Sequence, residues 1–376
     1  MASDGPAQMP DGPSRPRPAR VREHYTGSDP RHKIAAALCC VAYCCPTDAP
    51  HRLGLGEAFR MKRAFVFPGQ GSQAVGMGRS LAEAFPAARD LFEEVDETLS
   101  QRLSRLMFEG PEHDLTLTEN AQPALLAASL AVIRVLEAEG GLVLGRHVAY
   151  VAGHSLGEYS ALAAARGVTV ADAVRLVKLR GRTMQRAVPL GEGAMAALLG
   201  LDVEEAQAVV IEAVRSNPDE ICAVANDNAP GQVVVSGHHQ AIERAIAIAR
   251  ERGARRSIIL PVSAPFHSPL MAPVARVMAK ALGEMALRPL VVPMVANVSA
   301  SATSDPAEVK HQLVGQVTAM VRWRECIQYL KTAEVEEVAE IGTGRVLTGL
   351  CRRIDPNLSA RSVCTPAEVD AFIKAL

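Results

Sequence analysis

The chain has 376 residues, 48% of them hydrophobic, enough to bury the cores of two or more domains. A formal net charge of −1 and an aromatic content of 4% argue against a nucleic-acid binder, which needs a basic face or stacking platforms. No apolar run in the sequence approaches the roughly 20 residues that span a bilayer.

Residues 1–60 read differently from the rest. Pro6, Pro10, Pro13, Pro16 and Pro18 break any regular element. The apolar run Ile34 to Cys45 is too short for a membrane span and too far in for an ordinary signal peptide. Asp4, Asp11, Glu23 and Asp29 speak against a transit peptide, so the segment is expected to be mostly disordered. Cys39, Cys40, Cys44 and Cys45 cluster there, but no second ligand pair follows at finger spacing, which argues against a metal. Cys222, Cys326, Cys351 and Cys364 are scattered, as suits a reducing, cytoplasmic compartment. Met61-Lys62-Arg63 opens directly into a strand, and the folded unit, with the working start of the chain, is expected at Met61.

Ala64 to Phe67 reads as a short buried strand. It runs into Pro68-Gly69-Gln70-Gly71-Ser72-Gln73, a loop with accessible backbone N–H groups. Helices are expected over Ser80 to Glu97 and over Thr118 to Glu139, the second closed by Gly140-Gly141. A β-like run, His147 to Ala152, then leads into Gly153-His154-Ser155-Leu156-Gly157-Glu158, and a helix-like run leaves it. Strand, sharp turn and helix with Ser155 at the apex is the setting of a nucleophile elbow. The plainer alternative is a Gly-Ser turn that only reverses the chain.

The helix predicted over Ala171 to Ala187 places Ala173, Leu176, Val177, Met184 and Ala187 on one face, with Arg180 in the middle of it. Arg175, Lys178, Arg182 and Arg186 take the solvated side. A buried arginine needs a partner; periodicity alone favours a structural salt bridge or snorkelling to the rim over a functional anion. Residues 191–262 read strand, helix, strand, strand, helix, strand, the ferredoxin-like order, inserted between two parts of a larger α/β domain. The cleft between the two is the expected ligand site. His267 lies on the return crossing, in Pro265-Phe266-His267, before a helix from Leu270 to Met285. Position alone favours a surface residue there over a catalytic base. A strand over Val291 to Val298, a helix over Val309 to Val317, a strand over Val335 to Ile341 and helices over Arg345 to Arg353 and Pro366 to Leu376 complete the chain.

Taken together, Phe65-Val66-Phe67-Pro68-Gly69-Gln70-Gly71-Ser72-Gln73, Gly153-His154-Ser155-Leu156-Gly157-Glu158, Arg180-Gly181, Asn228-Ala229-Pro230-Gly231-Gln232, Pro265-Phe266-His267 and Val321-Arg322-Trp323 give the chain a clear likeness. From Met61 to Leu376 it resembles the malonyl-CoA:acyl carrier protein transacylase family of bacterial fatty acid synthesis. The resemblance implies an α/β-hydrolase-like large domain, residues 61–190 and 263–376, with a ferredoxin-like small domain, residues 191–262. It implies Ser155 as nucleophile, His267 as its base and Arg180 as the binder of the substrate's free carboxylate. Gln70 matches the glutamine of the oxyanion loop, Leu156 would supply the second N–H, and Gln316 falls near the active-site histidine. Backbone carbonyls, rather than an acid, are expected to orient His267. Phe266 matches the bulky neighbour that disfavours a methyl branch on the substrate. The implied substrates are malonyl-CoA and the phosphopantetheine arm of acyl carrier protein, acted on by a cytoplasmic monomer without metal, cofactor, nucleic acid or membrane. Two rivals remain. A thioesterase or lipase would place Asp or Glu between Ser and His in chain order. A non-catalytic carrier-protein binding module would be free to lose Ser155, His267 or Arg180.

Overall fold

The computed structural model describes residues 61–189 and 191–376; the expectations for residues 1–60, including the Cys39 to Cys45 cluster, lie outside the described residues. Among the described residues ten strands are formed: β1 Arg63–Phe67, β2 Tyr150–Gly153, β3 Gly193–Leu199, β4 Cys222–Ala229, β5 Gln232–His238, β6 Arg256–Ile259, β7 Met294–Val295, β8 Ala302–Thr303, β9 Glu337–Ile341 and β10 Ser359–Val363. They build two sheets in a mixed α/β fold. The first has the order β10-β9-β1-β2-β7-β8, parallel except for the β7–β8 pair, and the second the order β4-β5-β3-β6, antiparallel throughout.

The central strand β1, Arg-Ala-Phe-Val-Phe, is buried at all five positions. A parallel strand covered on both faces needs such an unbroken apolar run. Its one charged member is matched: Arg63 Nε donates to the buried carboxylate of Glu337 on neighbouring β9, which Arg361 also approaches. Phe372, from the last helix, Pro366–Ile373, lies under both arginines.

The helix Thr118–Gly140 forms the spine on one side of this sheet, packed against the helices Pro86–Leu99 and Val170–Arg186. With 23 residues and a strongly apolar 18-residue window, it is long and apolar enough to cross a bilayer, contrary to the expectation from sequence. Its apolar window is 83% buried within the fold, so its length serves the core.

Several boundaries moved. The helix expected over Ser80 to Glu97 is two, Arg79–Ala84 and Pro86–Leu99, because Pro86 starts a new helix rather than continuing one. Leu144–His147 is a helical turn, so the elbow strand begins at Tyr150. The run Val291 to Val298 contributes only Met294–Val295 to the sheet, after which the chain turns back through β8 and frees Asn297 for other partners. The strand β10 and the helix Trp323–Thr332 were not anticipated, and β10 is a sheet-edge strand of mixed polarity without an apolar run.

The second sheet joins the rest through β4. Asp227 N–H donates to the Val321 carbonyl at 2.9 Å, Val321 N–H donates to Ala225 at 2.8 Å, and Arg324 Nε reaches Asp227 Oδ2 at 2.8 Å.

Glu337→Gln should lower the free energy of unfolding by about 3 kcal/mol, since Arg63 would stay buried without its counter-charge. The urea midpoint measures this.

Candidate active site

β2 ends at Gly153, in register with Phe67 at the end of β1, and His154 N–H donates to the Phe67 carbonyl at 3.0 Å. The helix Gly157–Ala164 then follows the turn. A Cβ on Gly153 would sit 1.9 Å from the Gly157 carbonyl carbon, and one on Gly157 would sit 2.1 Å from the Phe67 oxygen. Only glycine fits where main chain touches main chain. Ser155 occupies the apex with φ 50°, the left-handed region, at a cost on the order of 1–3 kcal/mol. The elbow expected from sequence is formed.

Two side-chain amides hold this strained residue. Asn297 Oδ1 accepts from the Ser155 N–H at 2.8 Å, while its Nδ2 donates to the Gly153 carbonyl at 2.7 Å. On the other side, Gln316 Nε2 donates to the Ser155 carbonyl at 2.8 Å.

Ser155 Oγ lies 2.7 Å from His267 Nε2. His267 Nδ1 lies 2.9 Å from the Gln316 carbonyl oxygen. A carbonyl can only accept, so Nδ1 carries the proton and the Nε2 lone pair faces the serine hydroxyl. No acid takes part in this contact. The imidazole is buried, not at the surface as its loop position favoured. Burial, and then the charge of Arg180, push His267 down to about 3, against the pull of the Gln316 carbonyl.

Arg180 is 2% exposed. Its Nη1 donates to Gln122 Oε1 at 3.0 Å, and its Nη2 to Gln316 Oε1 at 2.9 Å and to Ser155 Oγ at 3.1 Å. The guanidinium carbon stands 5.5 Å from the Tyr159 ring centre. Among the described residues no carboxylate pairs with it, so neither the structural salt bridge nor the snorkelling favoured by periodicity is present. Neutral amides hold the guanidinium directly, and buried Glu158 acts on it only through space.

The loop after β1 lies against the elbow: a Cβ on Gly69 would stand 2.6 Å from the His154 carbonyl oxygen. Gln70 turns its side chain to Thr118 Oγ1 at 3.1 Å. Among the described residues neither the Gln70 nor the Leu156 backbone N–H has a hydrogen-bond partner. The structure thus gathers Ser155, His267, Arg180 and Gln316 through direct contacts, with the Gln70 loop alongside. The portion carrying the first sheet supplies all of them. From the second sheet, Asn228 Oδ1 reaches His154 Nε2 at 2.8 Å.

A profile of the acyl transferase domain family matches residues 64–352. The chain belongs to this family. The malonyl CoA-acyl carrier protein transacylase of Bacillus subtilis is 44% identical over 315 residues, which cover 84% of this chain and 97% of that protein. The transacylase of the same name from Escherichia coli K12 is 42% identical, covering 83% of this chain and 98% of the other. Among solved structures, the acyl-carrier-protein S-malonyltransferase of Bartonella henselae aligns with a TM-score of 0.81 at 50% identity, over 84% of this chain and 99% of its own. A malonyl-transacylase solved in complex with its type II PKS acyl-carrier protein aligns with a TM-score of 0.80 at 41% identity, over 84% of this chain and 100% of the matched one.

Three contributors to this acyl transferase site escaped the sequence reading as site residues: Gln122, Asn297 and Glu158. Gln122 carried a readable signal, a polar residue inside a long apolar helix and hence in need of a partner. Glu158 stood inside the elbow motif. Asn297 carried no local signal, because its importance comes from where the chain turns after β7. Glu158 is fully buried, and burial pushes it up to about 8 against hydrogen bonds from Asn297 and Gln316.

The depressed His267 has a measurable consequence. Its folded-state affinity for protons lies below that of the unfolded chain, so its contribution is complete above the ordinary histidine range and is lost as pH falls toward about 3. Relative to His267→Gln, the unsubstituted chain should lose about 1.4 kcal/mol of stability per pH unit below about 6.5. Urea titrations of both chains at pH 7 and pH 5 check the difference.

Proposed function

We propose that this acyl transferase moves the malonyl group from malonyl-CoA to the phosphopantetheine thiol of acyl carrier protein, through a malonyl ester on Ser155. The carrying observation is the buried Arg180 guanidinium, without a carboxylate in direct contact among the described residues, beside the paired Ser155 and His267. An acyl group that ends in its own carboxylate supplies the missing counter-charge. The curated relatives, matched over nearly their whole length, bear the names of such transacylases.

In the first half-reaction His267 Nε2 takes the Ser155 proton while Oγ attacks the thioester carbonyl. The Leu156 and Gln70 N–H groups receive the oxyanion. Collapse breaks the C–S bond, and the CoA sulfur leaves with the proton returned by His267. In the second half the phosphopantetheine thiol gives its proton to His267 and attacks the ester, and Ser155 regains its hydroxyl. Arg180 holds the malonyl carboxylate by two of its N–H groups throughout. Gln316 orients His267 through its carbonyl and Arg180 through its side chain. Phe266, beside the base and buried, limits branching next to the reacting carbonyl.

A thioesterase reading lacks its usual support, since His267 Nδ1 meets a main-chain carbonyl where a hydrolase triad has an acid. A binding module without catalysis would not need Ser155 and His267 at 2.7 Å. The reading extends to the architecture. The first sheet with its elbow is taken as an α/β-hydrolase-like domain, residues 61–190 and 263–376. Residues 191–262 are taken as a ferredoxin-like insertion, supported by the order β4-β5-β3-β6 with two helices between its strands. The four described cysteines are free, which supports a cytoplasmic setting.

Ser155→Ala should abolish the malonyl adduct seen by intact mass after mixing with malonyl-CoA; an adduct retained on that variant would mean another nucleophile. Arg180→Ala should lower kcat/KM for malonyl-CoA relative to acetyl-CoA by about 10- to 150-fold, the worth of one charge-assisted hydrogen bond. Equal losses on both substrates would refute the carboxylate role.

A further inference from the structure

Ser155 is held on both sides of its backbone, by Asn297 at the N–H and by Gln316 at the carbonyl. Both holders converge on one side chain. Glu158 Oε1 accepts from the Asn297 main-chain N–H at 2.6 Å, and Glu158 Oε2 accepts from Gln316 Nε2. Glu158 is 0% exposed and sits in the first turn of the elbow helix, three residues after the serine.

We propose that Glu158 is a positioning residue: through Asn297 and Gln316 it sets the backbone of Ser155 in its left-handed conformation and so aims the hydroxyl at His267. This rests on Ser155 being the nucleophile.

The geometry leaves little freedom in the amides. The Gln316 side-chain oxygen accepts from Arg180, a group that can only donate, so its nitrogen must face Ser155 and Glu158. The Asn297 oxygen takes the Ser155 N–H, so its nitrogen must face the Gly153 carbonyl. With both arms arriving as donors, the residue at their junction must accept twice. The ionised carboxylate does this, favoured by these same two hydrogen bonds and the Arg180 charge against the burial that raises its proton affinity; a primary amide of the same shape presents a donor on one side and repels one arm. Gln316 also offers its carbonyl to His267 Nδ1, so displacement of that arm misplaces nucleophile and base together. Glu158 itself touches neither the Ser155 hydroxyl nor the imidazole in any hydrogen bond, which makes its action indirect.

The test is Glu158→Gln, read by two assays. The first is the rate at which a small fluorophosphonate labels Ser155, which reports the nucleophile without any demand on Arg180 or a malonyl group. The second is steady-state malonyl transfer. With a native near-UV circular dichroism spectrum, labelling rate and kcat should both fall by about tenfold or more, while KM for malonyl-CoA stays within about threefold. Labelling and kcat within about twofold of the unsubstituted chain would overturn the proposal, as would a fall in kcat with labelling unchanged. If Glu158→Gln does not fold, Glu158→Asp keeps an acceptor carboxylate but draws it back from the Asn297 and Gln316 arms, and the same two readouts and limits apply. In the unsubstituted chain, rapid labelling without malonyl transfer would sink the malonyl reading alone, and the labelling comparison would still decide the role of Glu158.

Discussion

A buried guanidinium held by neutral partners is the constraint around which the site is arranged. Arg180 is 2% exposed, yet its donors go to two glutamine oxygens and a serine hydroxyl. An ion pair with a carboxylate would have neutralised it and closed the site to other anions. Amide oxygens offset part of the desolvation cost and leave the charge in place. That charge then acts twice. It adds to burial, the larger cause, in keeping a proton off His267. On the proposed function it also awaits the one carboxylate the fold does not provide.

Holding such a charge requires the surrounding structure. The helices Thr118–Gly140 and Val170–Arg186 pack along each other, and this contact brings Gln122 to Arg180. The helix Pro306–Gln316 ends where its last side chain can meet Arg180, Ser155 and Glu158, and where its carbonyl can meet His267. The elbow is equally dependent on its setting. Gly153 and Gly157 allow main chain to press on main chain, but the positive φ of Ser155 persists because Asn297 and Gln316 hold both of its peptide groups. His267 has a positive φ of its own, 56°, so Ser155 and His267 both sit in backbone conformations that isolated residues disfavour. The second sheet supplies none of Ser155, His267, Arg180 and Gln316. It is tied through β4 to the segment around Val321 and touches the site's edge through Asn228 and His154.

Much of this was legible in the linear chain. Apolar runs located β1 and β9, helical periodicity located the Arg180 helix, and the strand, helix and strand order of residues 193–259 was read correctly. The elbow announced itself because two glycines around a serine, between a strand and a helix, carry their steric meaning locally. Errors fell where tertiary context overrode local pattern. Pro86 divided a helix, β7 shortened because the chain had to turn and release Asn297, and β10 lacked the apolar run that marks a strand.

Arg180 and His267 show where local reading ends. Periodicity placed Arg180 on an apolar face but favoured a salt bridge or the rim, and position left His267 a surface loop residue. Only a resemblance to known sequences gave either a role. Their real surroundings depend on residues 112 positions apart for Ser155 and His267, and 136 apart for Arg180 and Gln316. By itself the sequence determined what is local: which segments are strand or helix, where glycine is required, and which side chains could do chemistry. The tertiary structure alone decided which of them meet, which charge has no carboxylate in direct contact, and that Glu158, Asn297 and Gln316 share one network. Chain spacing encodes period and turn, whereas the convergence of distant side chains is set by how packed layers cross.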